Sequence, residues 1–137
     1  VSVVLLRHAW AGEKGDWNGD DALRPLDERG RRQALVLRDL SRRGIRRIVS
    51  SPYVRCVETV EPLAEALQLQ IELDDRLSEG TPLGPALELL SELDGGVACT
   101  HGDIVDEVLG RSLKKGAAAV INVGADGAAL LELLPAP

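Results

Sequence analysis

The sequence predicts a three-layer α/β sandwich: a mostly parallel central sheet flanked by helices, closed by a hairpin at the C-terminal end. Three observations carry that expectation. Residues 1–6 are almost all apolar and several are β-branched, as in a strand buried on both faces. Short apolar runs then alternate with longer segments whose apolar residues recur at helical spacing, the order of a parallel sheet with helical crossovers. The last two apolar runs instead flank Gly124-Ala125-Asp126-Gly127, a turn that sends the chain back antiparallel.

The first strand delivers Arg7 and His8 at its end. Residues 9–24 follow as a polar loop rich in Gly and Asp, carrying Lys14, Trp17 and Asn18; a loop that long inside a domain is often functional. Asp27 reads as the N-cap of a first helix, with Ala34, Leu37 and Leu40 at helical spacing up to Gly44 at C′. Residues 45–49 form a short second strand. Ser51 as N-cap and Pro52 at the first helical position open the second helix, with Val54, Val57 and Val60 inward and Arg55 an exposed pocket residue in its first turn. Pro62 is expected to kink or restart that helix before Leu63, Ala64 and Leu67.

Residues 69–73 read as a third strand and 74–80 as a loop holding Asp74, Asp75, Arg76 and Glu79. Thr81-Pro82 opens a third helix, with Leu83, Ala86, Leu90 and Leu93 inward and Gly95-Gly96 at its end. Residues 97–100 form a fourth strand that delivers His101-Gly102-Asp103, and a small helix over 104–109 follows. Runs 117–123 and 128–134 make the hairpin.

A chain of 137 residues suffices for one domain with its own core, so 1–137 is read as a single domain without need of disulfide or metal. Phe and Met are absent, which leaves Leu, Val, Ile and Ala to pack the interior. The net charge of -6 argues against a broad nucleic-acid or membrane surface but allows a small cationic pocket. The arginines of the first helix, from Arg29 to Arg43, are interleaved with Asp27, Glu28 and Asp39, the pattern of a solvated face rather than a nucleic-acid one. Cys56 and Cys99 have no zinc-ribbon or CxxC spacing, which suggests two reduced thiols and a cytoplasmic location. No apolar run is long enough to span a bilayer and no signal-peptide pattern opens the chain.

Ligands of open α/β sheets bind beyond the carboxyl ends of the strands. Taken alone, Arg7-His8 is equally a basic dipeptide on an exit loop. Arg55 and His101 also follow strands, and convergence of all four at one edge decides for a phosphoryl pocket, because guanidinium forks suit phosphate oxygens. His8, His101, Cys56 and Cys99 are potential zinc ligands, but two arginines in the same pocket would repel a divalent cation; no metal and no cofactor are expected.

Leu6-Arg7-His8-Ala9, Ser50-Ser51-Pro52 with Arg55 and Thr59, and Thr100-His101-Gly102 resemble, in this order, the signatures of the histidine phosphatase superfamily, also called phosphoglycerate-mutase-like. Arg24-Pro25-Leu26-Asp27, Arg29-Gly30 and Gln33-Ala34 further resemble the small SixA-type phosphohistidine phosphatases. Arg7-His8-Ala9, Gly19-Asp20-Asp21 and Arg24-Pro25-Leu26-Asp27 are similar also to the phosphatase domain fused to some MutT-type Nudix hydrolases. Ala9 departs from the usual pattern, in which Gly is commoner after the histidine.

The resemblance implies a phosphoric monoester hydrolase in which His8 is phosphorylated and water then releases phosphate. Arg7, Arg55 and His101 would hold the equatorial oxygens, with Lys14 a further substrate-binding candidate from the polar loop. Glu79, in Leu77-Ser78-Glu79-Gly80, is the candidate proton donor; its alternative is a solvated loop carboxylate, and Asp75 and Asp103 are weaker substitutes. SixA-like proteins can lack this acid, which a good leaving group tolerates. The short segment before Thr81 leaves no room for a helical lid, so the pocket should be open. Openness suits a phosphorylated protein or the exposed end of a nucleotide and counts against an enclosed mutase site. Protein phosphohistidine is therefore the expected substrate, with nucleotides or other small phosphate esters as the alternative and a noncatalytic phosphate-binding module behind both.

Overall fold

The computed structural model describes residues 1–137. Strands β1 (Ser2–Arg7), β2 (Arg47–Ser50), β3 (Ile71–Leu73), β4 (Gly96–Thr100), β5 (Ala118–Gly124) and β6 (Gly127–Leu134) form one sheet in the order β3-β2-β4-β1-β5-β6. The first four are parallel, and β5 and β6 run antiparallel at one edge. Helices α1 (Glu28–Val36), α2 (Val54–Leu67), α3 (Leu83–Ser91) and α4 (Gly102–Leu109) cover the two faces.

Strand periodicity separates the two cores. Val3 and Leu5 pack with Leu89, Leu90, Ile104 and Val105 of α3 and α4, whereas Val4 and Leu6 pack with Val60 and Leu63 of α2 and with Leu37 and Leu40. Each fully buried aliphatic side chain of this kind contributes about 1.5–3 kcal/mol. Register then fixes the site: Arg7 pairs with Thr100 and Ser50 with Cys99, so His8, His101 and Ser51 leave three adjacent strands side by side.

Several boundaries differ from the sequence expectation. Asp27 does cap α1, accepting from the Gly30 N–H at 2.8 Å, but after Val36 the chain tightens into a 3-10 helix, Leu37–Arg43, before Gly44 turns it at φ 68°. Ser51 does not start α2: Tyr53 is extended at the helix entrance, and the Ser51 hydroxyl accepts from its N–H at 3.2 Å. The inward stripe of α2 is Cys56, Val60, Leu63 and Ala64, whereas Val54 and Val57 are only half-buried. That rotation turns Arg55 and Thr59 into the interior, so Arg55 is 1% exposed rather than exposed as expected, although it still borders the cleft at this edge. Pro62 sits within a continuous α2, because the buried residues on either side hold the helix in place despite the lost backbone bond. Between β3 and α3 there is only a 3-10 turn, Asp75–Leu77, and no helical lid. No helix is long and apolar enough to cross a membrane.

Candidate active site

His8 is held by backbone: its N–H donates to the Thr100 carbonyl at 3.0 Å and its carbonyl accepts from the Gly116 N–H at 3.0 Å. Its ring Nδ1 lies 2.7 Å from the Ala9 carbonyl oxygen. A carbonyl can only accept, so Nδ1 carries the proton and Nε2 keeps a free electron pair. Burial pushes the ring's pKa down to about 3; the Ala9 bond opposes this, and the neighbouring His101, Arg55 and Arg7 reinforce it. The ring is therefore neutral, as a nucleophile must be.

A folded pKa of about 3 against 6.5 in the unfolded chain also sets a pH dependence of stability. Between those values the unfolded state binds the extra proton, so His8 makes the protein lose stability as pH falls from about 6.5 towards 3, and contributes no slope above that range. His8→Asn is expected to flatten the fall in Tm between pH 6 and pH 4, read from thermal melts. An unchanged slope would mean that His8 is not buried in neutral form.

Arg55 is the second residue of α2. Its Nη1 donates to the Asp21 carbonyl at 2.8 Å, its Nη2 to Asp21 Oδ2 at 3.1 Å, and Nη2 also lies 3.5 Å from Glu79 Oε1. Thr59, one turn on, donates to the Arg55 carbonyl at 2.7 Å and accepts from the Ala9 N–H at 3.0 Å, tying α2 to the His8 loop. Asp21 also accepts from Arg24 Nε at 3.0 Å. Burial works to raise the Asp21 pKa, but the Arg24 hydrogen bond and the charges of Arg55 and Arg24 hold it below the ordinary carboxylate value.

Arg7 donates through Nη1 to the Leu113 carbonyl at 2.6 Å. Its guanidinium lies over the first residue of α4, and a Cβ on Gly102 would come within 2.9 Å of it, so any larger residue there would have to displace the Arg7 head group. His101 caps the same helix; its Nε2 is 2.9 Å from Ser51 Oγ and 3.5 Å from Cys56 Sγ, and its ring meets His8 edge-on at 5.5 Å. Cys56 and Cys99 are both buried free thiols.

Three buried side-chain nitrogens have no hydrogen-bond partner: Arg7 Nε, Arg55 Nε and His101 Nδ1. Leaving such a group unpaired costs about 1–3 kcal/mol. All three belong to residues at this one sheet edge; Arg7 and Arg55 line the cleft there, whereas His101, 1% exposed, lies beneath it and outside the lining.

The cleft above them, of about 320 Å³, is lined by Arg7, His8, Arg55 and Glu79, and also by Arg24, Asp103 and Lys115. Asp103 accepts from the Gly80 N–H at 2.7 Å and so tethers the turn that carries Glu79. Lys14 lies outside the lining: its side chain is 69% exposed and its Nζ is 3.9 Å from Asp21 Oδ2, the oxygen that accepts from Arg55. Asp75 is exposed and also outside it. Sequence reasoning gave no role to Arg24 or Asp21, although both stand in segments noted for their resemblance, and it passed over Lys115, which stands in a turn without any motif. No group of three or more His, Cys, Asp or Glu side chains is arranged to hold a metal ion.

The sequence profile of the histidine phosphatase superfamily (branch 1) matches residues 3–82, and the chain belongs to that family. It is 34% identical over 112 residues to an 8-oxo-(d)GTP phosphatase of Mycolicibacterium smegmatis, covering 76% of this chain and 35% of that protein. It is 38% identical over 85 residues to phosphoserine phosphatase 1 of Hydrogenobacter thermophilus, covering 58% of this chain and 38% of that one. The chain thus spans little more than a third of the length of either curated relative. Its fold is that of the solved protein histidine phosphatase SixA complexed with tungstate, with a TM-score of 0.80 at 19% identity over 98% of this chain and 97% of the other.

Proposed function

We propose that residues 1–137 form a metal-independent phosphatase domain working through a phosphohistidine on His8. The observation that carries this reading is the set of three unpartnered buried nitrogens around a neutral imidazole whose Nε2 is free. The Nε2 pair attacks phosphorus in line, and the bond from phosphorus to the leaving group breaks, its electron pair departing with that group. Arg7, Arg55 and His101 hold the equatorial oxygens, with the N-terminus of α4 beside them. Water then attacks phosphorus, the P–N bond returns its pair to Nε2, and orthophosphate leaves.

Glu79 lines the cleft with its side chain 41% exposed, and its Oε1 lies 3.5 Å from Arg55 Nη2, within ion-pair reach. Activated phosphoryl groups suit such a site, and the lid-free cleft supports protein phosphohistidine as a substrate. A nucleotide or other small phosphate is the second reading, favoured by the 34% identity to a protein named as an 8-oxo-(d)GTP phosphatase.

The test is a leaving-group series in the presence of a chelator. The wild-type protein is expected to hydrolyse p-nitrophenyl phosphate and phosphohistidine; failure on every phosphoryl donor by a folded sample would overturn the reading. If Glu79 donates the proton, Glu79→Gln should slow alkyl phosphate hydrolysis by about 10²-fold or more and the two activated substrates by less than about threefold. An equal loss on all of them would leave Glu79 as a residue that orders Arg55.

A further inference from the structure

We propose that the active site has a second anion subsite, built from Trp10, Arg29, Lys114 and Lys115, which selects small molecules carrying a further phosphate next to the one transferred to His8. This rests on the phosphatase reading and narrows its substrate class. A second hollow, of about 430 Å³, adjoins the reaction cleft and shares Arg7 and Lys115 with it. Its other lining residues are Trp10, Arg29, Gln33, Lys114 and Ala136, none with a carboxylate side chain, and Gln33 Nε2 donates to the Pro137 oxygen at 3.3 Å beside it.

The charge there is unusual for a chain of net charge -6. Arg7, Arg29, Lys114 and Lys115 take part in none of the ion pairs of the molecule. Arg29 Cζ and Lys115 Nζ each lie 4.3 Å from the centre of the Trp10 ring, whose electron-rich face attracts both cations. The ring thereby seats positive charge beside the hollow. Burial, then the charges of Arg7 and Arg24, lower the Lys115 pKa, with Glu13 and Asp27 opposing them; a bound anion would offset the lowering.

The arrangement is also held by buried polar structure. Gln33, 4% exposed, accepts from the Trp10 N–H at 3.0 Å and donates to the Lys115 carbonyl at 3.0 Å, fixing the two segments relative to each other. The Asp27 N–H donates to the Trp10 carbonyl at 3.0 Å. A Cβ at Gly30 would collide with that carbonyl, and one at Gly116 would come within 2.7 Å of Gln33 Nε2, so both glycines permit the close approach. Arg29-Gly30 and Gln33 thus acquire a role: they bring a cation and a tryptophan to the side of Arg7.

Because Arg7 borders both hollows, two neighbouring phosphates of one molecule would share it. A terminal phosphoanhydride has that form: Nε2 of His8 bonds to the terminal phosphorus, the bond to the bridging oxygen breaks, and the remaining phosphate leaves with the electron pair. Water then releases orthophosphate. Such a leaving group needs little help from a proton donor. A phosphohistidine side chain carries no second phosphate and would leave the subsite unused.

Calorimetry with methylenediphosphonate and methylphosphonate tests the subsite without turnover. The wild-type protein is expected to bind the diphosphonate at least about tenfold more tightly, the gain from charge-assisted hydrogen bonds to a second group. The double variant Arg29→Gln/Lys114→Gln should bring the two within about twofold. It should also raise KM for pyrophosphate and for nucleoside diphosphates by about tenfold or more, while kcat/KM for p-nitrophenyl phosphate stays unchanged. Equal affinity of the wild-type protein for the two phosphonates overturns the proposal, as does an equal loss on mono- and diphosphate substrates, which would mean only a general field. A loss confined to a phosphohistidine protein overturns it in favour of a protein-docking surface. Selective diphosphonate binding by a wild-type protein that hydrolyses nothing would instead sink the phosphatase reading and leave the subsite standing.

Discussion

His8→Ala is expected to lower turnover of p-nitrophenyl phosphate by about 10⁴-fold or more while the chain stays folded, the scale of losses seen when a covalent nucleophile is removed. The physical basis is that no neighbouring group can replace Nε2. His101 is the one other imidazole of the chain; its Nε2 is committed to Ser51 and Cys56, and its Nδ1 must carry the proton if it is to hold a phosphoryl oxygen, leaving no free pair. Rapid quench of the wild-type protein with a labelled phosphoryl donor should trap a phosphoenzyme that is acid-labile and base-stable, with the label on His8. Full turnover by the alanine variant, or label on another residue, would overturn the mechanism. Loss of fold is separated from loss of chemistry by melting the variant: removing a ring hydrogen-bonded only to the adjacent Ala9 carbonyl should cost far less than global unfolding.

Much of this site was legible because it depends on where strands end. A buried strand that terminates in Arg7-His8 and another that terminates in His101-Gly102 must expose those residues at the same edge once both strands are parallel, and the Arg7–Thr100 register does this. The Asp27 cap and the C-terminal hairpin follow from local chemistry that tertiary packing does not override. The setting of α2 was not legible in the same way. Val54, Val57 and Val60 have helical spacing, but so do Cys56, Val60 and Leu63, and packing against β2 and β4 chose the second set. Its consequence is the burial of Arg55. Lys115 and Arg24 come from a turn and a loop without periodicity, and they reach the cleft only through long-range contacts, such as Gln33 to Lys115 and Arg24 to the Ala11 carbonyl, which no spacing announces.

Arg55 gives the second large effect, and its burial changes which variant is informative. Arg55→Ala would remove the hydrogen bonds to Asp21 together with a side chain only 1% exposed, so a loss of about 2–4 kcal/mol in stability is expected beside the loss of activity. Arg55→Lys separates the two. A lysine keeps the charge but has neither the planar fork nor the Nε that faces no partner, so it cannot hold two phosphoryl oxygens while bonding Asp21. Turnover by Arg55→Lys is expected to fall by about 10²–10³-fold, the usual effect of losing one preorganised donor to transition-state charge, with KM changing much less than kcat. Thermal melts should place its stability near that of the wild-type protein. Wild-type kcat in Arg55→Lys would show that positive charge alone suffices there. Equal proportional losses in stability and activity across both variants would make Arg55 a structural arginine, with Arg7 and His101 left to hold the phosphoryl group.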